Sequence, residues 1–225
     1  MASGVKPRGL IGYGGGSAEE GAPLPAPPTQ ARGVDKRDRI YRAALERYEA
    51  DGVAATRVED VIADVEVSWA TFFRYFPRKG DVLIELAARH FRGPVRDAAA
   101  EGIADKRLRV RMVTERTFAA LLAPAEATPE LHSAALLEVF AHPARFAALI
   151  NDGHPQPMVG LVTELLTEAQ RRGELRPGVE LGPTALTVVA GALFPAVQAA
   201  SLGADPAQPL AAALEILWAG LDARD

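Results

Sequence analysis

A chain of 225 residues with 48% hydrophobic composition is long enough to bury one large or two small cores. It has no cysteine, which excludes a disulfide framework, a thiol nucleophile and cysteine-ligated zinc, and suits a reducing, cytoplasmic setting. The net charge of −4 is unevenly spread: residues 35–80 hold nine Lys or Arg against nine Asp or Glu, whereas residues 97–225 hold ten against sixteen.

Residues 1–34 combine GLIGYGGGS with GAPLPAPPTQARG, a composition that buries little apolar area and predicts a disordered Gly/Pro-rich tail. Lys6 and Arg8 lead into glycines rather than an apolar run, so no signal peptide is expected. Gly12 to Gly16 lacks the preceding strand and following helix of a phosphate-cradling loop.

From Asp35 the pattern becomes helical. Ile40, Ala43, Ala44 and Tyr48 recur at three- and four-residue intervals, and Asp51-Gly52 ends the run. Thr56-Arg57-Val58-Glu59 has the form of a capping box opening a second helix, with Val58, Val61, Ile62 and Val65 inward. Glu66-Val67 makes a short turn, Ser68 caps a third helix, and Pro77 closes it after Phe76. Two short helices joined by such a turn let the second enter a major groove while the first braces it. Phe72 and Phe76 are expected inward on Ile40 and Ala44, leaving Trp69, Ala70, Phe73 and Arg74 on the open side. Exposed aromatics are costly in water unless they meet a partner, and DNA is a suitable one: an aromatic edge contacts a thymine methyl, and Arg74 or Thr71 bonds phosphate or a base edge. Arg32, Lys36 and Arg37 form either a flexible basic arm for a minor groove or a solvated linker.

The stretch TRVEDVIADVEVSWATFFRYFPRKGDVL, Thr56 to Leu83, together with Ile40-Tyr41-Arg42-Ala43-Ala44-Leu45 and Gly52, resembles the DNA-binding domain of the TetR (tetracycline-repressor-like) family over residues 36–83. The resemblance implies that Thr56, Thr71, Tyr75 and Lys79 touch the phosphate backbone, and that Trp69, Ala70 and Phe73, just after the cap Ser68, face bases. The chain departs from the family at Glu66, where glycine is usual in the turn, at Ile62 and Ala70, where alanine and glycine are usual, and at Phe73, which is often tyrosine. A glutamate in a left-handed turn costs about 1 kcal/mol and places a negative charge beside the reading helix.

Beyond Lys79 the apolar spacing predicts helices near 80–100, 103–123, 129–151, 156–173, 183–203 and 206–222, with no alternating strand run. The fold class is therefore all-α: a three-helix helix-turn-helix domain over 35–80 and a larger helical domain over 81–225. By the same resemblance the larger domain binds a ligand and dimerises. Leu181 to Ala204 carries no charge, but Pro183, Thr184, Thr187, Pro195, Gln198 and Ser201 interrupt it and no basic cluster flanks it, so a buried helix rather than a membrane span is expected. The helices near 183–203 and 206–222, with small residues such as Ala190, Gly191 and Ala196, are candidates for a two-fold interface or for an intramolecular core.

Phe118, Leu122, Leu136, Phe140 and Met158, with His132 and His142 as polar anchors, are candidates to line an apolar ligand cavity. Glu138 and Arg145 are further possible anchors. His132 and His142, ten residues apart, fall about 80° from a shared helix face, so no metal pair is expected, and no cofactor motif is present. Two readings follow. One is a homodimeric repressor, or an activator, that binds a palindromic double-stranded operator and is released by a small apolar ligand. The other is a helical carrier or enzyme with a vestigial helix-turn-helix, against which no nucleophile-base pair stands at interpretable spacing. An adaptor that meets a protein through Trp69 and Phe73 is a third.

Overall fold

In the computed structural model, which describes residues 31–123, 127–150 and 153–223, the first helix, α1 (Ala31–Asp51), starts earlier than its apolar pattern. Residues 31–34, expected in the tail, belong to it; the rest of that segment and the Gly12–Gly16 run lie outside the described residues. Arg37 is likewise no part of a loose arm, because its side chain is buried in a salt bridge to Glu85 at 2.9 Å and lies over the Phe76 ring. Gly52, at φ +83°, turns the chain out of α1, and its N–H returns to the Tyr48 carbonyl at 3.0 Å.

Helix α2 (Val58–Asp64) and helix α3 (Trp69–Tyr75) follow. The expected capping box does not form. Arg57 is the N-cap of α2 and makes no side-chain cap, while the Thr56 hydroxyl donates to the Arg47 and Gly52 carbonyls at 3.1 and 2.9 Å. The Thr56 backbone N–H also donates to the Gly52 carbonyl at 3.1 Å, so the residue closes the turn after α1 instead of opening α2. At α3 the expectation holds: Ser68 Oγ accepts from the Thr71 N–H at 3.2 Å.

The long helix expected near 80–100 is α4 (Asp81–His90), a single π turn at Phe91–Val95, and α5 (Arg96–Ala104). Pro94 has no N–H and would collide with the carbonyl four residues back, so the backbone widens there instead of stopping. Helix α6 (Val110–Leu122) packs on α5. The helix expected at 129–151 is two, α7 (Pro129–Ala141) and α8 (Pro143–Ile150), bent by 101°, because the residue before Pro143 is pushed out of helical geometry. Helices α9 (Pro157–Arg171), α10 (Leu181–Ser201) and α11 (Ala207–Ala219) complete the fold. Among the described residues there is no strand, only an isolated bridge between Leu175 and Asp222 that ties the chain end to the α9–α10 loop.

The two parts share one continuous core, running from Ile40, Phe72 and Phe76 through Phe91 and Phe118 to Leu165 and Trp218. Helix α4 links them, touching α1 on one side and α7 and α8 on the other. Helix α10 is long and apolar enough to cross a membrane, with a mean hydropathy of 1.5, yet it packs on α7, α9 and α11. Of its residues Ala185, Val188, Ala192 and Ala196 face inward, whereas Leu186 and Phe194 face out.

Candidate nucleic-acid interface and ligand cavity

The outer face of α3 is apolar where solvent would favour polar groups. Trp69 is 46% exposed and stacks on the half-buried Phe73, with ring centroids 5.4 Å apart and planes 18° off parallel. Phe73 in turn meets the fully buried Phe72 edge-on at 5.3 Å. A continuous aromatic column therefore runs from the core to the surface, holding the Trp69 indole without a flexible stem. Ala70 lies exposed beside it, and Thr71 Oγ1 sits 3.0 Å from Ser68 Oγ. Arg74 is exposed with its guanidinium 4.9 Å from the Tyr75 ring centre and donates to the Tyr75 hydroxyl at 3.3 Å.

Two residues expected to reach phosphate are turned to internal work. Thr56 is only 3% exposed, with its hydroxyl committed to the end of α1 as described. The Lys79 ammonium donates to the Ala54 and Thr56 carbonyls at 3.3 and 2.9 Å, and burial lowers its pKa. Tyr48 donates to the Lys79 carbonyl at 2.9 Å, so this cluster pins the α1–α2 loop against the α3–α4 loop. In contrast, Arg57 is exposed at the start of α2, a position the sequence reading passed over.

Glu66 has φ +52° and is the one non-glycine among the described residues in the left-handed region. The turn therefore does require the geometry that glycine would supply cheaply. The neighbouring acid is offset: Arg47 holds Asp64 through two 2.7 Å bonds, which keeps that carboxyl below its ordinary pKa and clamps α1 to α2.

Behind the helix-turn-helix, a cavity of about 230 Å³ opens among α4, α7, α8, α9 and α10. His132, Leu136, Phe140 and Met158 line it as expected. Phe118 does not, being wholly buried in the core; Leu122 faces two other depressions; and His142 lies outside, 3.4 Å from Glu138. His90 of α4, unmarked in the sequence, joins the lining because α4 packs on α7. Its ring meets that of His132 edge-on at 4.8 Å. His90 Nε2 lies 2.7 Å from the Ala120 carbonyl and His132 Nε2 lies 2.8 Å from the Leu121 carbonyl, and burial lowers the His132 pKa. Among the described residues no cluster fit to hold a metal ion occurs.

The helices that wall the cavity also carry a buried ionic network to the α3–α4 loop. Arg145 of α8 donates to both Asp81 oxygens at 3.0 Å, and Asp81 also accepts from the Arg78 backbone N–H at 2.7 Å. Burial pushes the Asp81 carboxyl up, against the pull of Arg145. The Arg78 guanidinium reaches Glu138 of α7 at 3.2 Å. Gly80 leaves room for this approach, since a Cβ there would come within 2.5 Å of Glu138 Oε1 and the carboxylate would have to shift. The expected pocket anchors Glu138 and Arg145 are thus partners of the loop rather than of the cavity.

Residues 40–86 match the model of a family described as bacterial regulatory proteins, tetR family. No curated protein matches the chain. Among solved structures, it resembles Thermus thermophilus FadR, a TetR-family transcriptional repressor in complex with lauroyl-CoA, with 26% identity over 84% of this chain and 96% of that one and a TM-score of 0.67. It also resembles a TetR-family regulator from Mesorhizobium loti MAFF303099 (14% identity, 86% and 100% covered, TM-score 0.60). A third is SmeT, the repressor of the Stenotrophomonas maltophilia multidrug efflux pump SmeDEF (18%, 83% and 90%, TM-score 0.56). The last two likenesses are of fold alone.

Proposed function

We propose that the chain, whose residues 40–86 match the tetR family of bacterial regulatory proteins, is a homodimeric repressor that reads a palindromic operator through α3 and leaves it when a small apolar molecule fills the α4–α10 cavity. The observation that carries the reading is the Trp69–Phe73 column on the open face of a Ser68-capped helix. Such a face is costly in water and fits the methyl-studded floor of a major groove. Ala70 and Thr71 share that face, while Arg74, Tyr75 and Arg57 lie at its edge as phosphate partners. Lys79 and Thr56 serve by holding the loop in place.

One reading helix binds DNA poorly, and two-fold pairing spaces two of them across successive grooves. The outward apolar residues of α10 and α11 supply a surface for it: Phe194 is 64% and Ile216 74% exposed, with Leu186 nearby in sequence. Release would follow from the ionic network. A ligand wedged between α4 and the α7–α8 corner shifts Glu138 and Arg145, and these hold Arg78 and Asp81 just after α3.

Random-site selection with the purified protein tests this. The expected result is an inverted repeat whose preferred bases change in Trp69→Ala, with binding that falls steeply as salt is added. Recovery of no preferred sequence by a folded dimer would overturn the reading.

A further inference from the structure

The cavity's polar inventory is small and specific. Among the described residues its lining contains no Lys, Arg, Asp or Glu, and its polar members are His90, His132 and the rim residue Gln156. Both histidines are more than nine-tenths buried. Each points its Nε2 at a backbone carbonyl, an acceptor only, so each Nε2 must carry the proton and donate it. In the neutral ring the remaining Nδ1 is then a lone-pair acceptor, and neither Nδ1 has a hydrogen-bond partner among the described residues. Burial, which disfavours the charged ring, keeps His132 in that neutral form.

Resting on the reading of this cavity as the ligand site, we propose that it selects a small, uncharged, mostly apolar molecule bearing a hydroxyl, typified by an alkylphenol, whose O–H donates to the His90–His132 pair. The rest of the wall, including Leu136, Phe146 and Val189, takes the hydrocarbon part. An anion is rejected because no cation among the described residues lines the cavity and the two histidine protons are already engaged. A volume of about 230 Å³ lies below the range usual for drug-sized ligands, which rejects a nucleotide-bearing thioester on size as well as charge. The cavity therefore excludes lauroyl-CoA, the compound with which the Thermus thermophilus repressor is in complex.

Calorimetric titration of the full-length protein with 4-butylphenol, butylbenzene, 4-butylbenzoate and lauroyl-CoA tests the assignment without DNA. The phenol is expected to bind at least tenfold more tightly than butylbenzene, the difference one well-placed hydrogen bond supplies, and the two anions to give no measurable heat. In His90→Gln/His132→Gln, the glutamine amides still offer a donor to the two carbonyls but remove the ring acceptors. There the phenol's advantage should fall below about threefold while butylbenzene binds as before. Butylbenzene matching the phenol in the wild type, tightest binding by either anion, or no binding of the phenol would each overturn the proposal. A phenol that binds as expected but leaves operator binding unchanged would instead refute the release mechanism and leave this assignment standing.

Discussion

Glu66 shows how one backbone angle reaches function. Its φ of +52° is a conformation that an L side chain enters at a cost of about 1 kcal/mol, and it sits between the two helices whose angle sets the DNA fit. Glu66→Gly is expected to raise the free energy of unfolding by up to about 1 kcal/mol, read from denaturant titration, and to tighten operator binding at low salt because a negative charge beside α3 is removed. Under the proposed function Arg74 and Trp69 divide the labour differently. Arg74→Ala should weaken all duplexes alike and reduce the salt slope of binding by about one, whereas Trp69→Ala should leave that slope unchanged and alter base preference, both measured by fluorescence anisotropy across salt concentrations.

At the scale of elements, the informative feature is the corner between α7 and α8, where one pair of helices serves both cavity and loop. Asp81 is completely buried and faces Arg145, so Asp81→Ala leaves an uncompensated buried guanidinium and should cost on the order of 3–5 kcal/mol in chemical unfolding. Arg78→Ala breaks a partly exposed pair with Glu138 and should cost far less. It should leave ligand affinity intact while reducing the ligand's effect on DNA, measured as the ratio of operator affinities with and without ligand. His132 adds a pH dependence. Because burial lowers the His132 pKa below its ordinary value of 6.5, its contribution is fully present above that pH. The contribution is lost as pH falls toward the folded pKa, since the unfolded chain then binds the extra proton. His132→Gln should therefore lose less stability than wild type between about pH 7 and pH 5, by denaturant unfolding at each pH.

For the whole molecule, the separation of charge matters. The acidic excess lies in the later helices, away from a charge-balanced reading domain, so the body of the protein repels DNA while α3 approaches it. The proposed pairing of two chains would offset that weak electrostatic footprint by doubling the contacts. Phe194→Asp combined with Ile216→Glu places charge on the outward face of α10 and α11 and should yield a folded monomer by light scattering, with operator affinity reduced at least a hundredfold.

Much of this was legible in the residues themselves. The 3.6-residue periodicity marked the helical stretches but not the breaks at Pro94 and Pro143, Ser68 announced the cap of α3, and Phe72 and Phe76 were read as inward and Trp69 as outward from their spacing, because these features depend on neighbours three or four positions away. The cavity was half legible. His132, Leu136, Phe140 and Met158 share suitable chemistry and local spacing, but His90 enters only because α4 packs on α7, and His142 leaves only because Pro143 bends the chain at α8. The destination of the Thr56 hydroxyl and of the Lys79 ammonium was likewise decided by tertiary structure. A polar group bonds whichever carbonyl folding brings within reach, and a linear sequence does not record that distance.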